Sequence, residues 1–181
     1  AGCGAVVEKG EYYEGEVNPP APEGPAMIIG TVKGRAGETV ELTFTVSNAP
    51  ELKAFTVTNL SFASEKLTLV SVKCNIEDVA IKEIKDNGDV ILAMNNYTDM
   101  NQVILTYTFK INEGVPNCAA PVSCTFVPRA NVNDVESPID CTLVPGGVIV
   151  QNYITGDVND DGYVDSDDAI YLLWHTFLPD E

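Results

Sequence analysis

The stretch TVELTFTVS at residues 39–47 alternates apolar and polar residues without a break. Successive side chains of a β-strand point to opposite faces, so a period of two predicts a strand with one buried face. The apolar members, which are the predicted core residues of this strand, are Val40, Leu42, Phe44 and Val46.

Similar runs lie on both sides of this stretch, at residues 27–33, 67–73, 90–94, 103–111, 122–127 and 142–151. A further alternation begins at Phe55 and resumes one residue out of phase at Leu60, which predicts a β-bulge near Thr58-Asn59. The tetrapeptide Asp86-Asn87-Gly88-Asp89 is typical of a hairpin turn. Eight or nine short strands separated by turns predict an all-β fold, a β-sandwich, over residues 26–151.

The two ends of the chain differ from this central part. Residues 1–25 end in NPPAPEGP, which predicts an extended, Pro-rich linker. Residues 152–181 contain an acidic loop followed by a helical pattern whose apolar stripe comprises Ile170, Leu173, Trp174 and Phe177. Because other apolar residues lie beside that stripe, we expect the helix to dock on its own sandwich, on a companion helix, or on another molecule, as in a dimer.

Charge limits the partners that are plausible for this chain. It has 27 acidic and 10 basic residues and a formal net charge of −17, which disfavours nucleic acid and anionic membrane surfaces. No apolar run approaches the roughly 20 residues of a membrane-spanning helix. Residues 1–15 lack the features of a signal peptide, so we expect the processed form of a secreted, extracellular protein.

The five cysteines are Cys3, Cys74, Cys118, Cys124 and Cys141. Their spacing fits no zinc pattern. A disulfide could join Cys124 to either Cys118 or Cys141, and buried reduced thiols are the alternative. Cys3 follows Ala1-Gly2, which resembles the end of a bacterial lipoprotein cleavage signal and would attach the chain to the cell surface.

Residues 157–168, DVNDDGYVDSDD, have the spacing of a calcium-binding loop. Calcium takes about six to eight oxygen ligands, and a loop of this kind supplies them from alternate positions. Gly162 permits the sharp turn at the sixth position. The predicted ligands are Asp157, Asn159, Asp161, the carbonyl group of Tyr163, Asp165 and Asp168. The alternative is a solvated acidic turn, in which the carboxylates would repel one another.

From Asp157 onward, the loop and the apolar helix after it resemble one repeat of a type I dockerin. The resemblance implies that Ser166 and Asp167 contact a protein partner. Leu173 and Trp174 stand where dockerins usually have basic residues, which is a departure from the family pattern.

Residues 26–150 resemble a cohesin domain. The segments that carry the resemblance include IGTVKG at 29–34, LKAF at 52–55 and PGGVIV at 145–150. The resemblance implies a nine-stranded jelly-roll sandwich that captures dockerins and thereby helps to assemble cellulosomes, the extracellular complexes that degrade plant polysaccharide.

These observations predict a non-catalytic scaffolding or adaptor module whose partners bear dockerins or cohesins. The alternative is a carbohydrate-binding sandwich attached to such a complex through its dockerin. The only tryptophan, Trp174, lies in the helix and not on a strand, which disfavours a sugar-binding sheet. The only histidine, His175, also lies in the helix, and no catalytic motif accompanies it, so we expect no catalytic residues.

Overall fold

The computed structural model describes residues 22–132, 135–152, 156–159 and 163–177. Most of the predicted linker, residues 1–21, lies outside these ranges, as does Cys3. The described elements are β1 Ala26–Ile29, β2 Thr31–Gly34, β3 Thr39–Ser61, β4 Leu67–Cys74, β5 Val79–Ile84, β6 Val90–Ile111, β7 Cys118–Val132, β8 Val135–Pro138, β9 Thr142–Val144, β10 Gly146–Val150 and α1 Ser166–Phe177.

The alternation that opens the sequence becomes the first half of β3. Val40, Leu42, Phe44 and Val46 are buried, whereas Thr39, Glu41 and Thr43 are exposed. The same hydrophobic core contains Leu105, Tyr107, Phe109 and Ile111 from β6, which pairs antiparallel with β3. The β-sandwich predicted from the sequence is thus confirmed, and its core forms as the period of two requires.

Two strands are much longer than the sequence pattern predicts. β3 has 23 residues and β6 has 22, and each joins two runs that the sequence separates. The two strands stay paired through a series of register shifts between Phe44 and Ala54. Asn48 and Glu51 have positive φ angles of 53° and 46° within this bulged segment. The bulges bend the strands, so that one strand contributes to both halves of the sandwich.

The bulge predicted near Thr58-Asn59 is confirmed. The pairing of β3 with β7 shifts register between Thr58 and Ser61, and Asn59 has a φ angle of 54°. The predicted hairpin turn also forms between β5 and β6. Gly88 has a φ angle of 87°, and its carbonyl oxygen accepts a hydrogen bond of 2.9 Å from the buried hydroxyl group of Tyr107.

The first and last predicted strands are each divided in two. Gly30 separates β1 from β2 because its N–H donates to the Thr43 carbonyl oxygen while the next residues pair with β10. Pro145 separates β9 from β10. With these divisions and the added β8, the described residues contain ten strands, whereas the cohesin resemblance implies nine.

Of the three alternatives for what covers the helix, docking on its own sandwich is not observed among the described residues. Ile170, Leu172, Leu173 and Trp174 are 50%, 54%, 54% and 62% exposed. The helix itself forms as predicted, from Ser166 to Phe177. The local apolar pattern therefore specified a helix but did not specify a surface to cover it.

The four described cysteines, Cys74, Cys118, Cys124 and Cys141, are half-buried and form no disulfide bond with one another. The alternative of reduced thiols is therefore the one that the described residues support. Burial raises the pKa of Cys124 to about 11, which keeps its thiol protonated at neutral pH. No helix in the described ranges has the length and apolar character needed to cross a membrane.

Candidate protein-binding face and acidic loop

Four neighbouring strands, in the order β5, β6, β3 and β7, carry two rows of side chains that point away from the core. Phe55 and Leu92, which lie between the rows, are buried in the core, so the rows face outward. We call these two rows the outer face. The first row is Ile81, Ala93, Ala54 and Arg129, and the second row is Glu83, Ile91, Thr56 and Val127.

The outer face is apolar and nearly neutral. Ile81 is 58% exposed and Val127 is 37% exposed, and small or aliphatic side chains lie between them. The only charged members of the two rows are Glu83 and Arg129. Glu83 lies 3.9 Å from the Nζ atom of Lys85, which offsets its charge. In a chain with a net charge of −17, such a surface is depleted of charge, as the centres of protein interfaces are.

The other half of β3 provides an internal comparison. There the outward positions of β3 and β6 pair Thr39 with Lys110 and Glu41 with Thr108. These pairs are polar or charged, as expected for a surface that faces water. Because the same two strands form both surfaces, the apolar character of the outer face is a property of those positions and not of β-strands in general.

The two ends of the acidic loop are held together by hydrogen bonds to one carboxylate. Asp168 is 4% exposed and is the only buried charged residue among those that the structure describes. Its Oδ1 atom accepts hydrogen bonds from the backbone N–H groups of Val158 at 2.7 Å and Asn159 at 3.4 Å. Its Oδ2 atom accepts one from Asp165 at 2.8 Å. These bonds, that from Asp165 above all, lower the pKa of Asp168.

Asp168 therefore joins the two ends of the predicted calcium loop. Asp165 caps the helix, because its Oδ1 atom accepts a hydrogen bond of 2.8 Å from the N–H group of Asp167. Ser166 and Asp167, the predicted partner contacts, are exposed on the first turn of α1. Asp157 and Asn159 lie at the N-terminal end of the loop and are half-buried.

The donors in this loop are of the type that calcium prefers, since they are carboxylate and amide oxygens. The predicted ligand Asp161 and the turn residue Gly162 lie outside the described residues. Within the described ranges, no three acidic, cysteine or histidine side chains come together in a group that could hold a metal ion. The chemistry of the described donors fits calcium.

His175 occupies the surface of the helix. Its ring stacks on Tyr171 with centroids 4.1 Å apart, and its Nδ1 atom lies 3.1 Å from the Tyr171 carbonyl oxygen. These contacts are local and explain the residue as part of the exposed helix surface.

Sequence reasoning did not identify the residues of the outer face. Their positions were available from the alternation, since Ala54 and Thr56 flank the predicted core residue Phe55. What the alternation could not show is that Ala93, Ile81 and Arg129 lie in the same row, because that depends on pairing between distant strands.

The fold and the outer face together define a β-sandwich module with an exposed apolar sheet surface. The sequence model of the cohesin domain family matches residues 25–150, which is more than half of the chain. The chain therefore belongs to the cohesin domain family. No curated protein matches the chain significantly.

Solved structures of cohesins have the same fold. The seventh type I cohesin of ScaB from Pseudobacteroides cellulosolvens is 13% identical, with a TM-score of 0.60, and the match covers 72% of this chain and 94% of that one. The cohesin in a complex of OlpA with a dockerin from Clostridium thermocellum is 16% identical, with a TM-score of 0.57 and coverage of 70% and 99%. A non-cellulosomal cohesin from the archaeon Archaeoglobus fulgidus is 11% identical, with a TM-score of 0.58 and coverage of 85% and 99%.

Proposed function

We propose that this protein is a non-catalytic scaffolding or adaptor module that binds a dockerin through the outer face. Membership in the cohesin family supports this proposal, and the structurally similar cohesin of OlpA was solved in complex with a dockerin. The observation that carries it is the apolar, nearly neutral outer face of an otherwise strongly acidic chain. A rigid sheet with exposed Ile81 and Val127 gives a partner helix an apolar surface to cover.

The outer face favours a protein partner over the alternative of polysaccharide. Sugar-binding sheets use exposed aromatic rings as stacking platforms, and neither row of the outer face contains one. Glu83 and Arg129 are its only charged groups, so it also lacks a cluster of polar groups suited to sugar hydroxyls.

For the C-terminal segment, we propose a dockerin-like calcium-binding repeat. Asp157, Asn159, Asp161, Asp165 and Asp168, with the Tyr163 carbonyl group, would hold the ion. Calcium would offset the repulsion among these carboxylates and hold Asp168 in place on the first turn of α1. The exposed helix, with Ser166 and Asp167 on its first turn, would then contact a cohesin-bearing partner. A module with both elements would link two components of an extracellular, secreted complex that degrades polysaccharide.

The test of the outer face is a binding titration by calorimetry against a panel of purified, calcium-loaded dockerins. Thr56→Arg places a charged side chain in the centre of the outer face. We expect it to lower the affinity for a dockerin by about 100-fold, because the charge would be buried at the interface.

The matched control is Thr108→Arg, the same substitution at an equally half-buried position on the polar half of the sandwich. It should leave the affinity unchanged. Absence of binding to every dockerin at high micromolar concentration would contradict the proposal, as would an equal loss in both variants.

A further inference from the structure

The described part of the chain exposes two apolar surfaces that differ in shape. One is the outer face, which is a sheet surface. The other is α1, a single helix whose Ile170, Leu173 and Trp174 side chains are each at least half exposed. Because exposed apolar surfaces mark interaction sites, each of the two needs a partner, and a helix is a shape that a sheet surface can receive.

The first row of the outer face is low in its middle. Ala93 and Ala54 lie at its centre, between the longer side chains of Ile81 and Arg129. An alanine side chain is a single methyl group, so a partner helix can approach the sheet closely at these two positions. Large side chains of that helix would fill the space above them.

The exposed side chains of α1 are spaced to match this row. Neighbouring strands lie about 4.8 Å apart, so the two alanines are about 5 and 10 Å from the position of Arg129. A helix rises about 1.5 Å per residue, which places Ile170 about 4.5 Å and Trp174 about 10.5 Å from Asp167 along its axis. These three residues lie on one side of the helix. A helix laid along the row with Asp167 at Arg129 therefore puts its large apolar side chains over the two alanines.

The charges at the shared end of the helix and the row are opposite. Arg129 is exposed, and no acidic side chain of the described ranges forms an ion pair with it. Asp165 and Asp167 are exposed at the start of α1. An arginine on the sheet and carboxylates on the helix attract one another, which determines the direction in which the helix lies on the row.

The chain leaves the sandwich at a fixed point. The side-chain oxygen of Asn152 accepts a hydrogen bond of 2.8 Å from the N–H group of Ala36, and its side-chain amide donates one of 2.8 Å to the Val115 carbonyl oxygen. The backbone N–H group of Asn152 donates to the side-chain oxygen of Asn117 at 2.7 Å. These bonds hold Asn152 beside the residue that precedes β7.

This exit point is too far from the first row for a copy to bind its own helix there. Arg129 lies eleven residues after Cys118 along β7, a distance of about 36 Å in a strand. The five residues from Asn152 to Asp157 span about 18 Å even when fully extended. Hydrogen bonds to Asp168 keep the first turn of α1 beside the start of the acidic loop. The row that matches the helix is therefore within reach only on another copy.

We propose that α1 of one copy binds the first row of the outer face of a second copy, so that the protein associates with itself head to tail. Such a contact leaves one free helix and one free outer face at the ends of each pair. A single short helix buries little surface, so we expect an affinity in the micromolar range. This inference rests on the proposed function, since it names a second copy of the chain as a partner for both elements.

The first test uses two variants that each remove one half of the contact. Ala93→Arg places a charge in the middle of the row, and Trp174→Asp places one on the helix. Analytical ultracentrifugation in calcium-containing buffer at physiological ionic strength, which screens the repulsion between acidic copies, measures the mass. We expect the mass of the unsubstituted protein to rise with concentration and each variant alone to stay monomeric, because either charge should weaken the contact about 100-fold.

An equimolar mixture of the two variants should form a dimer and nothing larger, because it offers one intact helix and one intact outer face. Association of either variant with itself would overturn the inference, since it would mean that like surfaces meet. A mixture that stays monomeric would also overturn it, with circular dichroism showing that both variants are folded. If the unsubstituted chain is monomeric at high micromolar concentration yet binds a dockerin, this inference is wrong and the proposed function stands.

The second test exchanges the charges of the ion pair. Arg129→Asp and Asp167→Arg should each weaken self-association by about fivefold, and the two together in one chain should restore it. Lys110→Asp is the matched control, because it makes the same change in net charge at an exposed position on the polar half of the sandwich. An equal loss in the control, or no recovery in the double variant, would overturn the assigned direction of the helix and with it the inference.

Discussion

The sandwich and the C-terminal helix are both rich in apolar residues, yet they differ in what covers those residues. Every buried apolar side chain of the described ranges belongs to residues 26–150. Among the described residues of the C-terminal segment, the only buried side chain is the carboxylate of Asp168, while Trp174 is 62% exposed. The sandwich is therefore stabilised by burial of apolar surface, and the loop by hydrogen bonds to a single charged group. An apolar sequence predicts burial only where a second element is present to cover it.

The largest expected effect is a loss of stability when a buried side chain of the sandwich is removed. Phe44 is fully buried and its ring lies 4.3 Å from that of Tyr107. Phe44→Ala should lower the free energy of unfolding by about 3–5 kcal/mol, because it removes apolar contacts and leaves a cavity. Denaturant unfolding followed by far-ultraviolet circular dichroism measures the change.

The matching substitution in the other region is Trp174→Ala. It removes an even larger ring, but we expect the free energy of unfolding to change by no more than about 0.5 kcal/mol, because the ring is exposed. A loss above about 2 kcal/mol would show that the helix packs on the sandwich in solution.

Removal of calcium should change the structure of the C-terminal segment and leave the stability of the sandwich unchanged. If the loop binds calcium as proposed, the ion at a hundred times its dissociation constant would add about 2.7 kcal/mol to the stability of the state that contains the ordered loop. Chelation should therefore unfold α1 and change the fluorescence of Trp174, while the unfolding midpoint of the sandwich stays the same. Fluorescence titration and denaturant unfolding of the same sample measure the two effects.

The variant that tests this assignment combines Asp157→Ala with Asp168→Ala and should abolish the fluorescence response. Asp140→Ala, which removes an exposed carboxylate from the sandwich, should leave the response intact. If native mass spectrometry finds no bound metal and the fluorescence is unchanged by calcium, the calcium site and the dockerin-like repeat are both wrong.

A further prediction concerns the thiol of Cys124 in the sandwich. Burial raises its pKa from an ordinary value of 9.0 to about 11. The folded state therefore holds the proton more tightly than the unfolded state, so its contribution to stability is complete below pH 9 and is lost as the pH rises through 11. We expect the free energy of unfolding to fall by about 2 kcal/mol between pH 8 and 11 from this group.

Denaturant unfolding across that pH range checks the prediction, with Cys124→Ala as the comparison. The variant should show a shallower pH dependence, and the part that remains would come from groups such as Tyr107, whose pKa burial also raises. The same slope in both proteins would show that Cys124 is not the group responsible. The fluorescence of Trp174 should not change as Cys124 titrates, since the helix lies outside the sandwich core.

Much of the fold was predictable from local patterns. The burial of Leu42 and Phe44, the turn at Gly88, the bulge at Asn59 and the helix that begins at Ser166 all follow from residues close together in the sequence. The lengths of β3 and β6 were not predictable, because bulges around Asn48 and Glu51 hide the continuity of the strands. For the candidate sites, the sequence identified the acidic loop but missed the outer face.

The sequence by itself determined which side chains of each strand face the core, where the chain turns, and which oxygen donors stand together in one loop. These properties depend on neighbours within a few residues, which the period of two, turn chemistry and loop spacing describe. Only the tertiary structure decided that Ile81, Ala54 and Val127 share one exposed surface and that nothing in the described chain covers α1. Pairing between strands far apart in the chain sets those contacts, and no local pattern encodes the register of such pairs.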